Sequence, residues 1–227
     1  MYKTIATILV LLCSCFLFGE DLPSYGEHNL RKILVTKTLT DGTEKHALDM
    51  KLLDTVLTDL HSHANEYPPK FATREEFLRA RSDANVLSNL FEIWLADPKA
   101  ESDLLLKMAR LYTLAHNFDI PKSVTRADVS YKQLLKSAPK DPIAHYMYGS
   151  FLAHTGRTDE GIKHLQRSVE LKFPAALRNL AMAHLSQGKE EVAIAKLTEY
   201  VAEFPKNKKA RWMLAEIERG NFQVHSK

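Results

Sequence analysis

Small and apolar residues recur at regular spacing through the second half of the chain. Two consecutive copies share the order small, small, leucine, proline, and they consist of Gly149, Gly161, Leu165 and Pro174, then Ala181, Ala193, Leu197 and Pro205. An earlier copy begins at Met108-Ala109, and an incomplete one begins at Leu214-Ala215. A period of about 34 residues is typical of stacked helix hairpins. The pattern therefore predicts an array of helix pairs.

Gly149 is the unusual position in this pattern because it lies inside an apolar, helix-forming run. Glycine in a helix interior costs about 1 kcal/mol relative to alanine. We predict that the two helices of this hairpin approach too closely for a side chain there. Gly156 and Gly188 are predicted to end the first helices of two hairpins. Pro139, Pro174 and Pro205 are predicted to end the second helices.

The pattern resembles the tetratricopeptide repeat over residues 101–219. The long loop ending in IPKSVTRA and the junction SVELKFPAALRNLA also resemble the SEL-like variety of helix-hairpin repeat. Two features depart from the family, since no tryptophan opens any unit and Gly161 stands where alanine is usual. The resemblance implies an all-α, right-handed helix-hairpin solenoid. It also implies a concave groove, lined by the first helix of each unit, that holds a protein or an extended peptide.

Helical spacing from the packing positions gives the groove positions that this resemblance implies. The predicted binding residues are Arg110, Tyr146, Ser150, His154, Arg178, Met182 and Trp212, with Asp103, Leu106, Thr113, Leu185 and Glu216 beside them. Aromatic and arginine side chains dominate binding hot spots, and arginine can pair with a carboxylate through two parallel hydrogen bonds. The alternative for each is packing against an adjoining repeat, and for Trp212 burial under the closing helix.

The region before the repeats has a different pattern. The β-branched run after Arg31, followed by Asp41-Gly42, predicts a β-hairpin within residues 31–48. Leu48, Leu52, Leu53, Val56 and Leu60 then show helical spacing, and Thr73 with Glu76 resembles a capping box that begins a second helix. We expect these helices to cap the array, with a degenerate first repeat as the alternative. The hairpin edge offers a second contact by strand addition.

The first residues form an uncharged apolar run, TIATILVLLCSCFLF, after a short positive start. This run is short for a bilayer span and fits a secretory signal or a lipoprotein signal with Cys15 lipidated. An uncleaved short anchor is the alternative. Both cysteines lie in this run, so a mature body would have no disulfide. We therefore expect an exported protein, periplasmic or membrane-attached through the lipidated cysteine if the source is bacterial.

These patterns predict a division of the chain into five segments. They are the signal at 1–19, a linker and hairpin at 20–48, an N-terminal helical cap at 49–100, the repeats with a closing helix at 101–219, and a tail at 220–227. The closing helix is predicted from the half-polar run NKKARWMLAEIERG, in which Glu218 occupies the next packing position.

Composition and motifs exclude several functional classes. The formal net charge is only +3, so no nucleic-acid partner is expected. No zinc-protease, nucleophile-elbow, phosphate-loop or paired-cysteine motif occurs, so we expect no enzyme and no cofactor. His61 and His63, with Glu66 nearby, would point in opposite directions on a helix and could not easily share a metal ion. His145, His154, His164 and His184 are predicted to be wall residues, and the basic loop 206–211 to be solvated or to touch an anionic surface.

Two readings of function follow. The first is an exported adaptor that holds a peptide or partner protein in its groove within an envelope assembly. The alternative is a structural subunit that self-associates through its ends or convex faces and has no dedicated groove ligand. A metal protein or enzyme based on the histidines is less favoured, because their spacing along the chain does not indicate that they converge.

Overall fold

The computed structural model describes residues 22–38, 40–95 and 100–222, with the side chains of Lys37 and Lys45 left out. The predicted signal at 1–19, including Cys15, lies outside these ranges. The chain divides into two compact units at the Ser82–Asp83 bond. Within the described ranges no helix is both long and apolar enough to cross a membrane.

The first unit contains the predicted β-hairpin. Strand β1 (Leu34–Thr38) pairs antiparallel with β2 (Glu44–Leu48), so that Leu34 lies opposite Leu48. Gly42 in the connection has a φ of 81°, and the carboxylate of Asp41 accepts a hydrogen bond of 2.9 Å from the backbone N–H of Thr43. The Asp-Gly signal for this hairpin is thus confirmed, because glycine supplies the left-handed conformation that the turn needs.

Two helices complete this part of the fold, and their starts are set by side-chain caps. Helix α1 (Met50–Ala64) begins after Asp49, whose carboxylate accepts the backbone N–H of Leu52 at 3.0 Å. Leu48, which we predicted on the helical stripe, is instead the last residue of β2, because the cap at Asp49 starts the helix only after it.

Helix α2 (Arg74–Leu90) crosses from the first unit into the second. The hydroxyl of Thr73 accepts the backbone N–H of Glu76 at 3.2 Å, which confirms the predicted cap. Hydrogen bonds from the Ser24 hydroxyl and from backbone groups including Thr73 hold the pKa of Glu76 below its usual value, although burial opposes this. The Thr73 hydroxyl thus supplies the first half of the predicted capping box.

The second unit is a series of helix hairpins. Its helices are α3 (Glu92–Leu95), α4 (Ser102–Asn117), α5 (Ser123–Ser137), α6 (Pro142–His154), α7 (Thr158–Glu170), α8 (Ala176–Ser186), α9 (Glu190–Glu203) and α10 (Lys208–Glu218). The pairs α4–α5, α6–α7 and α8–α9 pack as hairpins, and α10 packs against α9. The predicted helix-hairpin repeat architecture is confirmed.

The hairpin of α6 and α7 contains the predicted close approach. A Cβ atom on Gly149 would lie 2.8 Å from the backbone oxygen of Gly161 and 2.8 Å from Cγ of Leu165. A Cβ atom on Gly161 would lie 2.6 Å from the backbone oxygen of Gly149. Both helices therefore need glycine at this crossing, which accounts for a residue that local helix propensity disfavours.

Left-handed residues end several helices. Gly156 and Gly188, with φ values of 83° and 71°, follow α6 and α8, as predicted for helix-ending glycines. Lys172, between α7 and α8, has a φ of 68° although it is not glycine. This junction is the place where the first copy of the repeat is one residue longer than the second.

Helix α10 covers the apolar face that α8 and α9 leave open. It buries Ala210, Met213 and Ile217 against a core that includes Ala181 and Leu197. Glu218 is exposed, so the last helix presents a polar residue where a further repeat would pack. This arrangement suits the end of a stack, because each repeat must bury its apolar face against a neighbour.

Candidate peptide-binding groove

A polar cluster joins the first helices of two successive hairpins. The side-chain amide of Asn179 on α8 donates a hydrogen bond of 2.7 Å to Oγ of Ser150 on α6, and lies 3.5 Å from the hydroxyl of Tyr146. The Ser150 hydroxyl donates in turn to the backbone oxygen of Tyr146 at 2.8 Å. We name Tyr146, Ser150, Arg178 and Asn179 the α6–α8 cluster.

The repeat brings these residues together. Tyr146 and Ser150 are four positions apart on α6 and therefore share one face of that helix. Tyr146 and Arg178 occupy equivalent positions in successive repeats, so stacking places them side by side. All four residues of the α6–α8 cluster are partly buried, so each is held by its neighbours and remains accessible to solvent.

Arg178 is the charged member of the α6–α8 cluster. Its Nε atom donates to Oδ1 of Asn179 at a long distance of 3.4 Å. Among the described residues no acidic side chain pairs with its guanidinium. By contrast, Arg157, Arg167 and Arg219 each form an ion pair with a glutamate. Arg178 is thus a partly buried cation without a carboxylate partner in this part of the chain, and a guanidinium can pair with a carboxylate through two parallel hydrogen bonds.

An aromatic contact anchors the apolar side of the α6–α8 cluster. The ring of Tyr146 packs against Phe173, with 5.3 Å between the ring centroids. His154, one turn beyond Ser150, donates from Nδ1 to the backbone oxygen of Ser150 at 2.7 Å, and its ring is exposed. The surface therefore combines a partly covered aromatic ring, hydroxyl groups and one unpaired cation.

The other predicted groove residues differ in how far they are packed against the core. Met182 and Leu185 are partly buried and pack against the core between α8, α9 and α10, which is the packing alternative considered for them. Arg110 is partly buried on α4, and among the described residues no acidic side chain pairs with it. Trp212 lies on the closing helix α10 itself and is 57% exposed, so it is not buried under that helix, and its ring meets Phe222 edge-on at 6.1 Å.

The neighbouring groove positions are occupied in different ways. Asp103 forms an ion pair of 3.5 Å with Lys107, and Glu216 pairs with Arg219 at 2.6 Å. The Thr113 hydroxyl bonds the backbone oxygen of Ala109 at 2.9 Å, and Leu106 is partly buried. These contacts are internal to the unit, so binding at these positions stays a prediction.

Two of the histidines converge, which their spacing along the chain did not indicate. Nδ1 of His145 on α6 lies 2.9 Å from Nδ1 of His164 on α7. His145 Nε2 donates to the backbone oxygen of Pro139 at 3.2 Å, so in a neutral ring its Nδ1 accepts the proton of His164. Burial, together with the neighbouring His145, lowers the pKa of His164 to about 4.

A second network links α5 to the α6–α7 hairpin. Asp128 on α5 accepts hydrogen bonds from the Tyr148 hydroxyl at 2.7 Å and from the guanidinium of Arg157, and it pairs with Lys132 at 2.7 Å. Burial would raise the pKa of Asp128, but these three donors together lower it. Arg157 also holds Glu160 through two bonds of 2.7 Å. The network ties successive repeats together.

The histidines of α1 behave as their helical positions suggest. His61 is exposed, whereas His63 is buried and donates from Nδ1 to the backbone oxygen of Lys70 at 3.0 Å. His28 and His63 both approach Asp59, at 2.7 Å and 3.6 Å. In the part of the chain that the structure describes, no three His, Cys, Asp or Glu side chains are grouped so as to hold a metal ion.

Sequence reasoning missed Asn179, which organises the α6–α8 cluster. The available signal was an amide side chain near the start of the helix that follows Phe173. Asn179 is adjacent to Arg178 rather than one turn from it, so the helical spacing of the groove positions does not include Asn179.

The architecture described above defines a class of protein, the helix-hairpin repeat proteins. Comparison with protein families agrees, because the tetratricopeptide repeat model matches residues 125–176, 169–208 and 178–221. Residues 125–221 are therefore similar to tetratricopeptide repeats. No curated protein shows significant similarity to the chain. Tetratricopeptide repeats are in general protein-interaction modules without catalytic activity.

Proposed function

We propose that this protein is an exported adaptor that holds a peptide or partner protein against the α6–α8 cluster, within an assembly of the cell envelope. The unpaired guanidinium of Arg178 carries the proposal. A partly buried arginine without a carboxylate partner has given up some hydration, and an external carboxylate would restore its hydrogen bonds.

The remaining members of the α6–α8 cluster would orient the partner. Tyr146 supplies an aromatic surface that Phe173 already holds in place, so little side-chain entropy is lost on binding. Ser150 and Asn179 supply hydroxyl and amide groups that can exchange hydrogen bonds with an extended backbone. The occupant that fits this surface is an extended segment with an acidic side chain or a terminal carboxylate.

The export part of the proposal rests on the apolar run at residues 4–18, which carries no charge. Such a run after a short positive start fits a secretory or lipoprotein signal, and lipidation would fall on Cys15. Mass measurement of the mature chain tests this directly. We expect a cleaved amino terminus, and a diacylglyceryl mass on Cys15 if the lipoprotein route is used.

Retrieval of partners from envelope extracts tests the adaptor function. We would compare the full chain with Arg178→Glu and with Tyr146→Ala, each checked by circular dichroism. The matched control is Lys163→Glu, the same charge reversal at an exposed lysine on α7. The proposal expects a partner that the control retains and that both cluster variants lose.

Two other outcomes would contradict a binding site at the α6–α8 cluster. Partners retained equally by all variants would move the site away from the α6–α8 cluster, for example to the edge of the β1–β2 hairpin, where an extended segment could add as a strand. A failure of every variant and of the wild type to retain any partner would remove support for the adaptor function.

A self-associating structural subunit is the second candidate. Ile93 is 70% exposed and Val86 is 47% exposed, so the start of the second unit presents apolar side chains to solvent. Sedimentation over a range of protein concentrations tests this candidate. A dimer that Ile93→Ser and Val86→Ser weaken would support it, and a monomer at all concentrations would exclude it.

A further inference from the structure

The segment that leads into α10 carries a cluster of unpaired cations. Lys206, Lys208, Lys209 and Arg211 are all exposed, and we call them the basic segment. Among the described residues none of them pairs with an acidic side chain. No aspartate or glutamate occurs anywhere from Pro205 to Ala215. The local charge is therefore +4 without internal compensation.

Helix stability does not account for these cations. Three of them lie in the first turns of α10, where the positive end of the helix dipole disfavours positive charge. The preceding helices α7 and α9 instead place Asp159 with Glu160, and Glu190 with Glu191, in their first turns. The basic segment thus costs α10 some stability, and an external anion would compensate for that cost.

An exposed indole adjoins the basic segment. Trp212 follows Arg211 directly and is 57% exposed, and its ring meets the partly buried ring of Phe222. Helix α10 therefore has two faces. Ala210, Met213 and Ile217 pack into the core, while cations and an indole face solvent.

From this arrangement we infer that the basic segment and Trp212 dock the repeat unit on an anionic phospholipid surface. Clusters of lysine and arginine are attracted to such surfaces by about 1 kcal/mol per residue, or roughly fivefold in binding each. Indole rings favour the boundary between headgroups and acyl chains. The lysines and arginine would contact lipid phosphates, and Trp212 would enter the interface beside them.

The combination favours a bilayer over a nucleic acid. The whole chain has a net charge of only +3, whereas nucleic-acid-binding proteins are in general strongly basic. An exposed indole beside lysines and an arginine matches the residue types enriched where proteins meet a membrane surface. The inference is independent of the proposed adaptor function, because the α6–α8 cluster lies on other helices.

Tryptophan fluorescence of the full chain with lipid vesicles tests the inference. We would compare phosphatidylcholine vesicles with vesicles that contain about 30 mol % phosphatidylglycerol, at salt concentrations from about 0.1 M to about 0.5 M. We expect a blue shift and protection from acrylamide only with the anionic vesicles, weakened by salt. Trp212→Phe removes the responding indole and leaves Trp94, so the difference between the two chains reports on Trp212.

Charge reversal supplies the decisive comparison. Lys208→Glu combined with Lys209→Glu should lower partitioning into anionic vesicles by at least about 25-fold. Folding should be retained, because glutamate in a first helical turn is favourable. The matched control reverses Lys136 and Lys140, which are exposed on and after α5, and should leave partitioning unchanged.

Four results would overturn the inference. These are a blue shift of equal size on uncharged vesicles, no shift of Trp212 on anionic vesicles, and unchanged partitioning after charge reversal at Lys208 and Lys209. The fourth is that vesicles bind neither the wild type nor the charge-reversed variant, while a single-stranded oligonucleotide binds the wild type only. That result would assign the basic segment to nucleic acid.

Discussion

Gly149 is required by the short distance between helices α6 and α7. Glycine at this position makes the helix less stable by about 1 kcal/mol than alanine would. It also allows the backbone of α6 to approach that of Gly161. We predict that Gly149→Ala destabilises the protein by about 1–3 kcal/mol despite its better helix propensity, because the added methyl group meets backbone atoms that cannot turn aside. Urea denaturation followed by circular dichroism measures this.

The matched control for that prediction is Gln166→Ala on α7, an exposed position that should change stability by less than about 0.5 kcal/mol. A stabilised or unchanged Gly149→Ala protein would show that α6 and α7 do not approach as closely as described.

His164 gives the stability of the protein a dependence on pH. Its pKa is lowered to about 4 in the folded protein, against an ordinary value of 6.5. Between these values the unfolded chain binds a proton that the folded chain does not, so stability falls as the pH is lowered from 6.5 towards 4. The full shift would correspond to about 3 kcal/mol, and solvent screening of a partly buried ring reduces this to about 1–2 kcal/mol.

Denaturation of the wild type and of His164→Gln at several pH values tests this dependence. The difference between the two proteins isolates His164 from carboxylates such as Asp128, whose lowered pKa gives an acid dependence of the same sign. An unchanged difference between pH 7 and pH 4 would contradict the prediction. His154→Gln serves as the control, because the ring of His154 is exposed.

At the residue scale, the residues that recur with the repeat were predictable from the sequence. Those whose role depends on contacts between helices were not. Gly149 was identifiable because its cost is local and its spacing recurs. The pairing of His145 with His164 was not, because it requires the relative rotation of two helices, which spacing along each helix does not contain. Asn179 was missed for the same reason, since its partner Ser150 lies on another repeat.

At the element scale the structure predicts that hairpins are coupled through Asp128 and Arg157. A double-mutant cycle of Asp128→Ala and Arg157→Ala should give a coupling energy of about 1–2 kcal/mol, because both groups are partly buried and the Tyr148 hydroxyl donates to the same carboxylate. The measurement is the free energy of unfolding of the four proteins in urea.

An exposed ion pair within one helix provides the comparison. Arg167 and Glu170 lie three residues apart on α7, and their cycle should give about 0.5 kcal/mol or less. Equal coupling energies in the two cycles would mean that the Asp128–Arg157 pair contributes no more than a surface pair.

Element boundaries were predictable where a side chain closes a backbone hydrogen bond. Thr73 with Glu76, and the turn at Asp41-Gly42, carry their signal within a few residues. The break between α2 and α3 at Phe91 was not predicted, because the apolar run continues through it. Phe91 is fully buried there, and its backbone N–H still donates to the Leu87 oxygen at 2.9 Å, so the break is a local one.

At the scale of the molecule, the repeat period made the architecture of the second unit predictable. The match of residues 125–221 to the tetratricopeptide repeat agrees with the helix pairs from α5 onward. The period does not encode which surface binds a partner, because every repeat exposes an equivalent face. Tyr146, Ser150 and Arg178 were predicted from the repeat, whereas the contact of Asn179 with Ser150 and the lack of a carboxylate partner for Arg178 required the structure.

Hydrogen–deuterium exchange on the full chain shows whether the α6–α8 cluster holds the partner. The exchange would be compared with and without the partner that the wild type retrieves. We predict slower exchange in residues 142–154 and 176–186 when the partner is bound, and loss of that protection in Arg178→Glu but not in Lys163→Glu. Protection confined to residues 34–48 or 83–95, with these helices unchanged, would contradict it.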